Sequence, residues 1–357
     1  MRSRSLQTEF ASPKEFFESI TGREEIQLLT DHEIQEYFFD KKVLITGAGG
    51  TIGSAVARRL NDAGISETYY LDRDESALHA LALSLSNTAA SHSNKCLVAD
   101  VRDVRSLEII FEETKPDLII HTAALKHLVV LERFPREGYL TNILGTLNVL
   151  SAAANKGIAQ VLNVSTDKAA LPSSVLGKTK LIAEHLTQEF NTKEMLTSSV
   201  RFGNVFASRG SVIETFIHQI NNNLAVTVSH PEVTRFFMSH NEAANLILTT
   251  SIMQENAIFV QEMGTRIKIV DIVTKLANKF GIVPNLEYVG LQPGEKLHED
   301  LYEKEFLKTS NSAIVQLPFQ EFKGVMKIIS GINTPGSHIE ALNVINSVMT
   351  LIETSDK

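Results

Sequence analysis

Apolar and polar positions fall into two alternating periods along the first two thirds of the chain. Short apolar runs recur at Val43-Leu44-Ile45, at Thr68-Tyr69-Tyr70-Leu71 before Asp72, at Cys96-Leu97-Val98 and at Leu118-Ile119-Ile120-His121. Two more follow, Val161-Leu162-Asn163-Val164 and Thr197-Ser198-Ser199-Val200. All have strand length, and each is separated from the next by a stretch of helical length and character, the first from Thr51 to Ala63. Strands alternating with helices predict an α/β fold with a doubly wound parallel sheet. After about residue 205 the regularity is lost, and turn signals at His230-Pro231 and Gln292-Pro293-Gly294 predict a smaller C-terminal lobe. Residues 1–40 are polar with scattered aromatics (Phe10, Phe16, Phe17, Tyr37, Phe38, Phe39) and read as a helical extension whose apolar side chains must dock elsewhere. The expected division is therefore 1–40 as extension, 41–205 as main domain with a return segment near 236–262, and 206–235 with 263–357 as the second lobe.

Composition narrows the class. The 357 residues suffice for one large or two modest domains, and 34 basic against 42 acidic side chains leave a net charge of −8, which argues against nucleic acid as a partner. No run approaches the roughly 18 unbroken apolar residues of a membrane helix, and the first 20 residues lack the basic-then-apolar order of a secretory signal. The expectation is a cytoplasmic protein without membrane insertion. Cys96 is the single cysteine, which excludes an intrachain disulfide and fits a reducing compartment. The 11 histidines show neither HExxH nor paired Cys/His spacing, so no metal site is expected.

The segment Thr46-Gly47-Ala48-Gly49-Gly50-Thr51-Ile52-Gly53 follows a strand and opens a helix. Glycine is needed at 47 for the tight turn, at 50 for backbone approach to a pyrophosphate, and at 53 for close helix–strand packing. Asp72, at the end of the second strand, stands where a carboxylate accepts from an adenosine ribose hydroxyl. The pattern predicts a Rossmann-type dinucleotide site, and the carboxylate favours NAD over NADP. Arg73 beside it is the one residue suited to a ribose phosphate. Asp100, Val101, Ala123 and Ala124 are further candidate cofactor contacts.

The glycine spacing, with Val164-Ser165-Thr166-Asp167-Lys168-Ala169 and Gly177-Lys178-Thr179-Lys180, resembles the extended short-chain dehydrogenase/reductase family. Further segments resemble its bacterial nucleotide-sugar 4,6-dehydratases: His121-Thr122-Ala123-Ala124-Leu125-Lys126-His127, Arg201-Phe202-Gly203-Asn204-Val205 and Arg235-Phe236-Phe237-Met238. The likeness covers roughly residues 24 to 305, and Gly22-Arg23-Glu24 resembles the linker of long membrane-bound members. It implies an internal redox cycle on a UDP-N-acetylhexosamine: oxidation at C4 by NAD, loss of water across C5 and C6, and return of the hydride to C6. Oxidation comes first because a C4 ketone acidifies the C5 proton.

The family's usual tyrosine base, four residues before Lys180, is here Leu176. That i, i+4 spacing puts both on one helix face, with Lys180 toward the cofactor ribose and Leu176 toward the sugar. The resemblance assigns Asp167 as the acid at the C6 hydroxyl and Lys168 as the base at C5, with Thr166 and a water relaying the C4 hydroxyl proton. An ion pair between these neighbours favours the opposite protonation states, so the assignment needs a desolvated site. It places Lys126 and Asn142 near the sugar or the relay, and Asn204 and Arg235 at the diphosphate. In Leu291-Gln292-Pro293-Gly294-Glu295-Lys296, Gln292 replaces the arginine of the family's turn, whose glutamate, here Glu295, meets a ribose. That leaves a GDP-sugar, or reliance on Arg235 and Arg209, open. His127, Ser211, Val212 and Thr227 complete the candidate substrate contacts.

The apolar residue at 176 sides with members that retain the C5 configuration. Two other readings stay open: a 4-epimerase using the same first step, and a non-catalytic NAD- or nucleotide-sugar-binding subunit. Apolar helical faces around Asn142–Leu150 and Leu181–Phe190 suggest a homo-oligomer, although core packing within one chain explains the same pattern.

Overall fold

Two short helices precede the first strand. Helix α1 (Pro13–Thr21) starts where the Ser12 hydroxyl accepts from the Glu15 amide, and α2 (Asp31–Phe38) starts with a reciprocal capping box between Thr30 and Glu33. The computed structural model describes residues 12–86, 94–302, 306–317 and 324–355.

The main domain follows the predicted alternation: β1 (Val43–Thr46), α3 (Thr51–Asp62), β2 (Thr68–Asp72), α4 (Glu75–Leu85), β3 (Cys96–Val98), α5 (Val104–Thr114) and β4 (Leu118–His121). Helices α6 (Leu128–Arg133) and α7 (Pro135–Gly138) lead through a π-helical turn, Tyr139–Leu144, into α8 (Gly145–Asn155). Then come β5 (Gln160–Thr166), a 3₁₀ turn at Asp167–Ala169, α9 (Val175–Glu189) and β6 (Leu196–Phe202). The less regular part holds β7 (Asn204–Val205), α10 (Val212–Asn221), β8 (Val226–Val228), β9 (Thr234–Arg235), β10 (Phe237–Met238), α11 (His240–Met253) and β11 (Ile258–Gln261). It continues through β12 (Ile267–Lys268), α12 (Ile269–Lys279), β13 (Leu286–Tyr288), β14 (Leu307–Lys308), β15 (Ile314–Leu317), α13 (Val325–Gly331) and α14 (His338–Ser355).

The main sheet has the order β14-β15-β11-β6-β5-β4-β1-β2-β3, parallel from β3 through β11 and antiparallel at β15 and β14. All four residues of β1 and of β4 are buried, which is why these strands read as unbroken apolar runs. The strand order reverses between β1 and β4, opening a crevice at their C-terminal ends. A second lobe with its own core (Phe206, Ile213, Phe216, Val226, Ile272, Leu276) faces that crevice. No described helix is long and apolar enough to cross a membrane.

The extension bridges both halves. Phe17 and Ile20 of α1 are buried in the second lobe's core, whereas Ile34 and Phe38 of α2 are buried in the core that includes Val43 and Ile45 of β1. Phe39 stays exposed, and Phe10 lies outside the described residues.

Two expectations need correction. Residues 307–317 and 325–355 do not belong to the second lobe: β15 pairs with β11 in the main sheet, and α14 packs on α7 and α9. The reason is apolar burial, since Ala341, Ile345, Val348, Met349 and Ile352 share one core with Ile182 and Leu186 of α9. For the same reason the two apolar faces proposed for subunit packing are covered within the chain, α8 by α5 and α9, and α9 by α13 and α14.

Candidate active site

The turn after β1 is built as its glycines require. Gly47 has φ +69°, and a Cβ there would lie 2.7 Å from the Ala123 backbone. A Cβ on Gly53 would lie 2.4 Å from the Gly47 carbonyl, so only glycine lets α3 sit this close to β1. Helix α3 has Gly50 as its N-cap and no side-chain cap, and Gly50, Thr51 and Ile52 line a cavity of about 710 Å³. An uncapped helix start facing a cavity is the donor set a pyrophosphate needs. Asp72 is fixed beside it, accepting from the Gly49 amide (2.9 Å) and the Asp74 amide (3.0 Å). These residues fit a dinucleotide.

Not every candidate reaches the cavity. Ala124 lines it, whereas Gly49, Gly53, Asp72 and Ala123 do not. Half-exposed Arg73 leans toward Asp100 at 3.8 Å, and Asp100 is already held by Arg102 at 2.6 Å. Val101 is buried and packs where a Cβ on Gly145 would lie, 2.8 Å away. Asn142 is fully buried and not in the lining, contrary to the expected substrate contact. Its amide accepts from the Leu125 N–H (2.8 Å), donates to the Leu125 carbonyl (3.1 Å) and donates to Thr179 (3.1 Å). Those bonds use up its polar groups in bracing the chain after β4 against α9.

At the end of β5 the Thr166 hydroxyl donates to Asp167 Oδ1 (2.9 Å), and Lys168 Nζ donates to the same oxygen (3.0 Å). Asp167 is fully buried, while Lys168 lines the cavity and also donates to Asn204 Oδ1 at 3.2 Å. Leu176 and Lys180, a turn apart on α9, share the same wall. Burial pushes the Lys180 pKa down to about 8, with Glu184 opposing. Glu184 itself is clamped by Arg201 at 2.8 and 2.9 Å, tying α9 to β6.

The opposite wall carries Arg209, Ser211, Val212, Thr227, Arg235, Gln292 and Glu295. Arg235 donates to Glu295 Oε1 (2.9 Å) and to the carbonyls of Thr234 and Leu297, so its charge is already paired. Glu295 also accepts from Ser229 (2.9 Å) and from the Gln292 amide (3.0 Å). The Gln292 side chain donates to the Gly290 carbonyl at 3.3 Å. Lys126 reaches Ser208 at 3.4 Å, and burial lowers its pKa, Glu214 opposing and Arg209 reinforcing. Burial likewise lowers the His127 pKa, Lys126 reinforcing, and its ring packs against Gly210. The Arg209 amide donates to Thr51 Oγ1 (3.2 Å), joining the second lobe to the glycine turn.

Sequence reading missed Glu299, which lines the cavity with its Oε1 3.9 Å from Lys168, and Ser229 and Lys296, which hold the loop. The four-residue spacing of Glu295 and Glu299 was the available signal, legible only once the segment is known to be extended. No group of histidine, cysteine or carboxylate side chains among the described residues is arranged to hold a metal.

A parallel sheet with a glycine turn after β1, and a cavity at its switch point walled by a second lobe, define an extended short-chain dehydrogenase/reductase fold. The chain belongs to the polysaccharide biosynthesis protein family, whose model matches residues 43–317. It is 38% identical over 297 residues to the capsular polysaccharide biosynthesis protein CapD of Staphylococcus aureus, covering 80% of this chain and 49% of that protein. It is 35% identical to a UDP-glucose 4-epimerase of Rickettsia canadensis, covering 75% of this chain and 79% of that one. The chain thus spans about half the length of the capsular relative. Among solved structures it resembles Pen from Bacillus thuringiensis, with TM-score 0.69, 32% identity and coverage of 74% and 84%. The fold also matches DesIV, a dTDP-glucose 4,6-dehydratase from Streptomyces venezuelae with NAD and TYD bound, at TM-score 0.64, 17% identity and coverage of 78% and 93%.

Proposed function

We propose that this chain is an NAD-dependent nucleotide-sugar 4,6-dehydratase, converting UDP-N-acetylglucosamine to its 4-keto-6-deoxy product with C5 configuration retained, in the making of a glycan precursor. The observation that carries this reading is Lys168 in the cavity wall, paired with the fully buried Asp167 and sharing that wall with an apolar Leu176. Chemistry confined to C4 needs a proton acceptor at one hydroxyl, whereas elimination also needs a base at C5 and an acid at C6. Lys168 and Asp167 are those two groups, and Thr166, bonded to Asp167, receives the C4 hydroxyl proton. NAD held at the glycine turn supplies the acceptor for the C4 hydride and its donor to C6. Asp72 beside that turn suits a free ribose hydroxyl better than a phosphate. Arg209 and Arg235 are the cations for the diphosphate, and Arg235 must share its guanidinium with Glu295.

Mass spectrometry of the protein incubated with UDP-N-acetylglucosamine, GDP-N-acetylglucosamine and UDP-glucose tests this. Loss of one water from the UDP-N-acetyl sugar is expected. Asp167→Asn and Lys168→Ala should each lower turnover by about 10²- to 10⁴-fold while bound NAD is retained. Unchanged mass with all three sugars overturns the dehydratase. The likeness to a Rickettsia protein named as a UDP-glucose 4-epimerase favours one second reading, which an inverted C4 at unchanged mass selects.

A further inference from the structure

Glu299 is 1% exposed at the cavity wall. Its Oε1 lies 3.9 Å from Lys168 Nζ, and its Oε2 is buried without a hydrogen-bond partner among the described residues, as is Oδ2 of Asp167. Lys168 therefore stands between two buried carboxylates, 3.0 Å from one and 3.9 Å from the other. Two buried carboxylates thus share one ammonium, and either can accept a proton from it. Burial raises the Glu299 pKa; Lys168 opposes this, Asp167 reinforces it, and Arg235 and Lys296, the other cations facing the group, oppose it.

We propose, resting on the dehydratase reading, that Glu299 is a positioning residue that takes the proton of Lys168 once Asp167 has received that of the C4 hydroxyl, and returns it when the cycle ends. An ionised Asp167 beside an ammonium has both groups in the wrong state for elimination. As the hydride leaves C4 for the nicotinamide, Thr166 passes the hydroxyl proton to Asp167. Lys168 then faces only Glu299 as a charged partner, and transfer of its proton to that carboxylate leaves a neutral amine beside a neutral carboxylic acid. The amine takes the C5 proton, and the electron pair of that bond forms the C5–C6 double bond and expels the C6 hydroxyl. The departing oxygen takes the proton from Asp167 and leaves as water. When the hydride returns to C6, Lys168 gives its proton to C5 and recovers one from Glu299. The proton lost in the water is the one from the C4 hydroxyl, so none is drawn from solvent.

Water loss from UDP-N-acetylglucosamine, followed from about pH 6 to about pH 10 for the parent, Glu299→Gln and Glu299→Asp, tests this. Glu299→Gln should keep bound NAD, its melting temperature and a KM within about threefold, while kcat near pH 7 falls about 10²-fold and climbs with pH as hydroxide takes over the missing acceptance. Glu299→Asp should restore about a tenth of parental kcat or more. A kcat for Glu299→Gln within about threefold of the parent, or a loss equal at every pH and not rescued by aspartate, overturns the assignment. Absence of water loss in the parent overturns the dehydratase reading, and the assignment with it.

Discussion

At the end of β4 the ring nitrogens of His121, 1% exposed, meet the hydroxyls of Thr46 and Thr146 at 2.7 and 3.1 Å. Burial pushes its pKa down to about 3, with the nearby Lys180 charge reinforcing, so the native ring is neutral. The unfolded chain takes up this proton near pH 6.5, the native one only near pH 3, so stability rises with pH in that window and is lost as pH falls through it. The unfolding free energy from urea titrations should carry a slope of about 1.4 kcal/mol per pH unit from this group, and His121→Gln should remove it. Equal slopes for the two chains would contradict the neutral buried ring. Single residues differ in how far the sequence reveals them. Asp167, Lys168, Leu176 and Lys180 are legible because a strand end and one helix face bring them together locally. Glu299 is not, since its partner Lys168 lies on a remote part of the chain, and Asn142 misleads because an amide bracing a loop looks like one that binds a ligand.

Among the elements, the extension is tied down by an ion pair. Arg23 meets both carboxylate oxygens of Glu242 at 2.6 and 2.7 Å and the Phe237 carbonyl at 2.9 Å, and Glu242 is fully buried at the start of α11. Arg23→Ala leaves that carboxylate without its cation and should destabilise the chain by about 3 kcal/mol in urea unfolding. Arg23→Lys should recover only part, because a lysine cannot reproduce the two-pronged contact. A loss under about 0.5 kcal/mol would mean the clamp is dispensable. Strands β1 and β4 are readable as strands because burial on both faces makes all but their last residue apolar. The short run at β15 carries no such distinction, and its antiparallel direction depends on β11, a partner chosen by tertiary packing.

Over the whole molecule, α13 and α14 seal a face of α9 that would otherwise be apolar and open. Removing residues 324–357 should expose Ile182 and Leu186 and convert the chain to self-associating or insoluble material, read by size exclusion with light scattering. A truncated chain that stays monomeric and folded would show that the cover is unnecessary. The doubly wound plan was legible in the alternation of periods, whereas the return of the C-terminus to that plan was not, because amphipathic helices carry no address. The sheet's margins have a consequence of their own. One ends in the three residues of β3 and the other in the two residues of β14, which include a lysine. A neighbouring chain would find at most three residues of backbone to pair with at either margin, too few to set a register. Among the described residues these two margins therefore offer amyloid-like growth from the folded state only a short template.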